Sequence, residues 1–290
     1  MDQAFACILL LLSLRAALGK YVYITNGRTW TDAQAYCEDL YTDLAPVSDQ
    51  EDTDELRLLS GNTTAFIWIG LERSSTNTDT WMWSGGGEVS KFFWAPGRPY
   101  GQQGSNVGLF HNNLWYDATA NQALPFFCYS VVVVEEMLTW EEALQYCREN
   151  HQSLASVASE TEMLLIQKEL TKIVTTDHIW MGLRFLPNHW LWVDGKPLSY
   201  EAWGEGGKPT CPDVKLKCGA LNVTQEAQSS SGSSAIVQVG DLVAVRHSYQ
   251  GNVEADTVLS TTTSSNEAAN AIQMVWEAYD CDEKLNFVCY

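Results

Sequence analysis

Apolar side chains and cysteine recur at i, i+3 and i+7 in two stretches, TWTDAQAYC at Thr29 to Cys37 and TWEEALQYC at Thr139 to Cys147, with Leu144 adding i+4 in the second. Each reads as an amphipathic helix with one buried face. The apolar runs YVYIT at Tyr21 and VVVVEE at Val131 precede them and read as strands. Ser48-Asp49-Gln50-Glu51 and Ser159-Glu160-Thr161-Glu162 have the S-x-x-E form of a capping box, predicting a second helix after each first one. Downstream, short β segments broken by Gly, Pro and Asn end in PFFCY and NFVCY. Two helices followed by short strands predict an α+β domain, and the order is given twice.

The tryptophans carry the same duplication. WIGL at Trp68 matches WMGL at Trp180, WMW at Trp81 and Trp83 matches WLW at Trp190 and Trp192, and Trp94 and Trp203 follow at equal distances. Trp115 and Trp276 stand thirteen positions before Cys128 and Cys289, so all twelve tryptophans fall into pairs. In W-x-W both indoles point to one face of a strand, where two large rings cover a small core. An exposed aromatic platform for sugar rings is the functional alternative.

The 290 residues allow two modest domains. A net charge of -19 repels a phosphate backbone or an anionic membrane surface, so nucleic acid is not an expected partner. Residues 1–19 read as a signal peptide, with an apolar stretch from Ala4 to Leu14 and small residues Ala17 and Gly19 before the cut. No later apolar run has the roughly 20 residues needed to span a bilayer. Eight cysteines, and the glycosylation triplets at Asn62 and Asn222, suit a secreted, extracellular glycoprotein. With Cys7 in the signal, seven cysteines remain and one lacks a partner.

Taken in order, the W-x-x-A-x-x-Y-C helix, WIG or WMG, the W-x-W strand and the closing Trp-to-Cys spacing make this chain resemble a tandem of C-type lectin-like domains, similar to those of mannose-receptor-like proteins. The resemblance covers residues 20–129 as the first domain and 130–290 as the second, apart from one insertion. It implies, for each domain, two helices, two small antiparallel sheets and a long loop region that carries ligands. It also implies long disulfides Cys37–Cys128 and Cys147–Cys289, and a short one, Cys218–Cys281, whose first-domain positions are Val107 and Ala120. Cys211 is left over, as a buried thiol or as an intermolecular disulfide to another chain.

Sugar-binding members hold calcium through an acid-Pro-Asn triplet, a further acid and an Asn-Asp pair after the last tryptophan, a set rich in the oxygens that calcium takes. Here the triplets read Arg98-Pro99-Tyr100 and Lys208-Pro209-Thr210, and the pairs read Tyr116-Asp117 and Glu277-Ala278. A cation of the chain at the metal's place would repel it by several kcal/mol, on the order of a close like-charge pair in a poorly screened loop. Calcium is therefore not expected as a cofactor at either site. Arg98, Tyr100, Trp115, Tyr116, Asp117, Lys208, Thr210 and Glu277 remain as candidates for binding a glycan or an extracellular protein without metal.

The Cys218 to Cys281 interval exceeds its first-domain counterpart by 50 positions, an excess placed near 225–274 in Ser- and Thr-rich sequence. It is either a disordered loop or retained non-coding sequence. The five histidines, His111, His151, His178, His189 and His247, have no metal-ligand spacing, and no catalytic motif is present, so no enzyme activity is expected. Asp177-His178 reads as the edge of a buried strand. The expected function is that of a secreted, non-enzymatic recognition protein, the alternative being the shortened ectodomain of a membrane receptor of the same family.

Overall fold

The computed structural model describes residues 19–61, 63–101, 104–173, 175–224 and 273–290. The signal peptide, Asn62 and the insertion near 225–274 lie outside them, the last but for its end. The described residues from 19 to 224 and from 274 onward form one compact unit, built as two lobes of like design.

The first lobe runs β1 (Tyr21–Arg28), α1 (Trp30–Leu40), β2 (Asp43–Leu44), α2 (Gln50–Ser60), β3 (Ile67–Arg73), β4 (Trp81–Trp83), β5 (Val107–His111), β6 (Leu114–Ala118) and β7 (Leu124–Tyr129). The second runs β8 (Val132–Leu138), α3 (Trp140–Asn150), α4 (Glu160–Leu170), β9 (His178–Phe185), β10 (Trp190–Trp192), β11 (Cys218–Thr224), β12 (Gln273–Tyr279) and β13 (Leu285–Cys289). The predicted α+β class and both pairs of helices are present.

Helix starts follow side-chain chemistry, with two departures from expectation. α1 and α3 each bury a Trp, Ala and Cys on one face, and Thr29 and Thr139 cap them. Only Thr139 closes a full capping box, with Glu142 answering its backbone. Ser48 is not a cap: Asp49 is, accepting from the Asp52 amide, because a carboxylate satisfies an orphan N–H at a positive helix end as well as a hydroxyl does. Ser159 does cap α4, but Glu162 turns instead to the Ala158 amide.

Hydrogen bonding joins the strands of each lobe into one sheet rather than the two small ones expected. The orders are β1-β7-β3-β5-β6 and β8-β13-β9-β11-β12. The joint is a parallel pairing, Trp68 with Phe126 and Trp180 with Phe287, within sheets that are otherwise antiparallel. The duplication reaches single bonds. Trp30 Nε1 donates to the Ile69 carbonyl and Trp140 Nε1 to that of Met181, both at 2.9 Å. Trp68 and Trp180 donate to Arg28 and Leu138, both at 3.0 Å.

The W-x-W indoles are buried on one face, as expected, and each pair belongs to a four-ring cluster. Trp81 meets Trp94 and Trp83 meets Trp115 in the first lobe, with centroids 4.9 and 5.4 Å apart. Trp190 meets Trp203 and Trp192 meets Trp276 in the second, at 5.0 and 5.3 Å. Edge-to-face contacts at these distances add to the stabilisation that burial gives.

The lobes share a core. One buried cluster includes Leu56, Trp83 and Tyr129 of the first together with Met163, Leu165 and Tyr290 of the second. Gly85 to Gly87, following W-x-W, meet Thr161, Leu164 and Leu165 of α4; Gly87, with φ +85°, is also in the region that glycine favours. At the seam the Lys20 ammonium, 1% exposed, lies 2.6 Å from Asp52 and 2.7 Å from Glu162, both carboxylates fully buried. Lys168 of α4 reaches across to Glu38 and Asp43.

The three disulfides implied by the resemblance are formed: Cys37–Cys128, Cys147–Cys289 and Cys218–Cys281. Trp30 N donates to the Ala120 carbonyl as Trp140 N does to that of Cys281, which confirms Ala120 as the counterpart of that cysteine. Cys211 is exposed, so the buried-thiol reading is wrong; its loop leaves no apolar cover over it.

Candidate functional site

In the first lobe the candidate residues converge. Asp117, on β6 directly after two large aromatics, turns its side chain inward and is fully buried there. Arg98 Nη1 donates to Asp117 Oδ1 at 2.9 Å, and the amides of Tyr100 and Gly101 donate to Oδ1 and Oδ2 at 3.0 and 3.3 Å. The Arg98 guanidinium lies 3.7 Å from the Tyr100 ring centroid and 5.1 Å from that of Tyr116. Burial pushes the Asp117 carboxyl pKa up, but the Tyr100 amide, Arg98 and the Gly101 amide outweigh it and hold the group below its ordinary range.

Calcium does not fit this arrangement. Both Asp117 oxygens are occupied by N–H donors, and the cation's place beside them is taken by a guanidinium. A hard divalent ion needs several free oxygens. What faces outward is Tyr100, 61% exposed, over a fixed charge.

Trp115, expected among the binding residues, is buried at 0% exposure among Trp83, Phe93 and Trp94 and offers no surface to a ligand. Its position after the β5–β6 turn places it on the core face of β6.

The second-lobe candidates do not converge. Lys208 pairs with Glu201 at 2.8 Å, whereas Glu277 accepts from Asn222 Nδ2 at 2.8 Å and lies 3.0 Å from His178 Nε2. Burial raises the Glu277 pKa, but the hydrogen bonds from Asn222 and His178 and the His178 charge lower it below the ordinary value. Thr210 is exposed. Ala278 stands where the first lobe has Asp117, so that position offers Lys208 no carboxylate to pair with.

Two groups of residues were not singled out from sequence. One is the seam cluster of Lys20, Asp52 and Glu162. The other is Phe66 and His111, whose rings lie 4.4 Å apart, with Tyr116 5.3 Å from Phe66. Sliding the duplicated halves against each other would have found the second. Phe66, His111 and Tyr116 stand where the second lobe has His178, Asn222 and Glu277, which bond to one another. Asn222, the described glycosylation triplet, is half-buried in β11 with its amide committed to Glu277.

A family model for the lectin C-type domain matches residues 26–130 and 136–237. The chain is 25% identical over 244 residues to C-type mannose receptor 2 of Homo sapiens, covering 69% of this chain and 16% of that receptor. It is 33% identical over 132 residues to the secretory phospholipase A2 receptor of Mus musculus, covering 45% of this chain and 9% of that one. The crystal structure of human lithostathine is 25% identical, with a TM-score of 0.35 over 38% of this chain and 81% of its own. The chain therefore spans only a small part of the length of the receptors it matches.

Proposed function

The chain belongs to the C-type lectin domain family, and we propose that it is a non-enzymatic, secreted recognition protein that binds a carbohydrate or extracellular protein through the long-loop region of its first lobe, without calcium. The observation that carries this is the Arg98–Asp117 bond, which puts a guanidinium against the buried carboxylate and leaves the Tyr100 and Tyr116 rings around it. The rings offer a face on which an apolar ligand surface stacks, and the guanidinium beside them offers a donor to an acidic one. Among the described residues no group of three or more His, Cys, Asp or Glu has a metal-holding arrangement. The test is a glycan and protein array probed with the purified chain, with and without EDTA. Binding that survives EDTA and is lost in Arg98→Ala supports the reading; binding abolished by EDTA overturns it.

A second reading, a piece of a larger membrane receptor's ectodomain, is favoured by the two relatives named as receptors, of which the chain matches 16% and 9%. No helix among the described residues is long and apolar enough to cross a membrane. A transcript encoding an apolar segment beyond Tyr290 would support this reading over secretion.

A further inference from the structure

At the seam a cavity of about 290 Å³ opens beside Lys20, at the C-terminal end of α3. The Lys20 side chain turns inward to Asp52 and Glu162, while its main-chain N donates to Gln152 Oε1 at 3.3 Å. Glu55 and Asp194 stand on the cavity wall with Lys196 and Arg148. Lys196 Nζ lies 3.4 Å from Glu55 and 3.7 Å from Asp52, both long for an ion pair.

Charge is unevenly met here. Asp52, Glu55, Glu162 and Asp194 are four carboxylates, while Lys20, Lys196 and Arg148 are three cations, so the seam is one positive charge short. The C-terminal end of α3 marks the place for a fourth, since the carbonyl end of a helix dipole favours a cation. The main-chain N of Lys20 is already bonded to Gln152 there, but as an amide it has one donor and no charge. A Cβ at Gly19 would lie 2.6 Å from Gln152 Oε1, so the residue ahead of Lys20 crowds that acceptor.

We propose that the Gly19–Lys20 bond is a processing site and that the α-ammonium freed by its cleavage docks in this cavity, as the fourth cation of the seam. The proposal rests on the secreted reading above, in which a signal peptidase makes the cut. Water adds across the peptide bond, the Gly19 carboxylate leaves with residues 1–19, and the Lys20 nitrogen takes up the proton to become an ammonium. The cut clears the space beside Gln152 Oε1 and turns one donor into three. One residue then holds the lobes together through both of its nitrogens, Nζ at Asp52 and Glu162 and the α-ammonium at the end of α3. A cut one residue further on would remove Lys20 altogether.

The test compares two chains secreted from cultured insect cells, one with its own leader and one with a foreign leader that leaves Ser-Gly ahead of Lys20. N-terminal sequencing of the first is expected to begin at Lys20. At pH 7 its Tm is expected to exceed that of the extended chain by about 2–4 °C or more. A cation held beside carboxylates contributes fully below the ordinary α-amine pKa, about 7.7–8.0, and less as pH rises beyond it, so the difference should fade toward about pH 10. Groups common to both chains cancel, and the Lys20 ammonium and the phenols of Tyr21, Tyr129 and Tyr290 have pKa values raised well above ordinary. In Gln152→Ala the difference should shrink. A first residue other than Lys20 overturns the cut, and the reading of residues 1–19 as a signal with it. A terminus at Lys20 with equal Tm in the two chains, or with a difference that pH does not change, overturns the docking and leaves the secreted reading intact.

Discussion

The phenol oxygens of Tyr129 and Tyr290 lie 3.0 Å apart at the seam, each on the residue that follows its lobe's closing cysteine. The duplicated design thus meets itself at equivalent positions, and Asp52 and Glu162, each three residues into its helix from the cap, face each other in the same way. Lys20 has no such equivalent. One ammonium serves both carboxylates.

Replacing that ammonium by an isosteric apolar group leaves buried Glu162 without its cation and Asp52 with only Lys196, 3.7 Å away. Lys20→Met is expected to lose about 3–5 kcal/mol of stability, the range for breaking a buried ion pair from one side. Chemical denaturation of the two proteins side by side measures it.

The same cluster fixes a pH response. Burial alone would lower the Lys20 pKa, but Asp52 and Glu162 raise it well above the ordinary value. Burial would raise the Asp52 pKa, but the charges of Lys20 and Lys196 and the hydrogen bonds from Lys20 and the Ser48 amide bring it below the ordinary value. The lysine contribution is complete below the ordinary lysine pKa and lost only as pH rises through the raised folded value. The aspartate contribution is complete above about pH 4, the ordinary carboxylate value, and lost as pH falls through the depressed one. The seam's contribution is therefore constant across neutral pH. In Lys20→Met the acid limb should shift, because protonating a carboxylate there relieves repulsion; thermal melts from about pH 3 to 8 compare the two curves.

Arg98→Ala is expected to cost about 1–3 kcal/mol, since one charge-assisted bond to Asp117 is lost while the Tyr100 and Gly101 amides still satisfy the carboxylate. Calorimetric titration with calcium is expected to remain flat, one carboxylate being too few for the ion.

The two helices of each lobe and the paired tryptophans were legible because they rest on short-range periodicity or on spacing repeated within the chain, whereas the three disulfides came only with the resemblance to the lectin-like family. The side-chain direction of Trp115 was not, since it depends on the register of β6 against β5. Nor were the joined sheets, whose link is a parallel pairing of segments 58 positions apart, Trp68 with Phe126. Lys208 and Glu277 were grouped because both fall at the family's ligand positions; with Ala278 where the first lobe has Asp117, no carboxylate there ties them together. The Lys20 cluster draws on positions 20, 52 and 162, and no local pattern links them.

Val107 and Ala120 show that a lobe of this design holds without the short disulfide. Cys218→Val with Cys281→Ala is expected to fold and to lose about 2–4 kcal/mol, the usual worth of a cross-link. Cys218→Val alone should in addition leave the half-buried Cys281 thiol open to disulfide exchange, visible as oligomers on a non-reducing gel.

Cys211 is exposed. Under native conditions a maleimide is expected to label it, located by peptide mapping, while the six disulfide cysteines stay unlabelled. If the chain pairs with a second one through this residue, dimers on a non-reducing gel disappear in Cys211→Ser.

A shared interior and a buried charge cluster join the two lobes, so a disturbance at the seam is felt in both at once. Neither half keeps its full interior without the other.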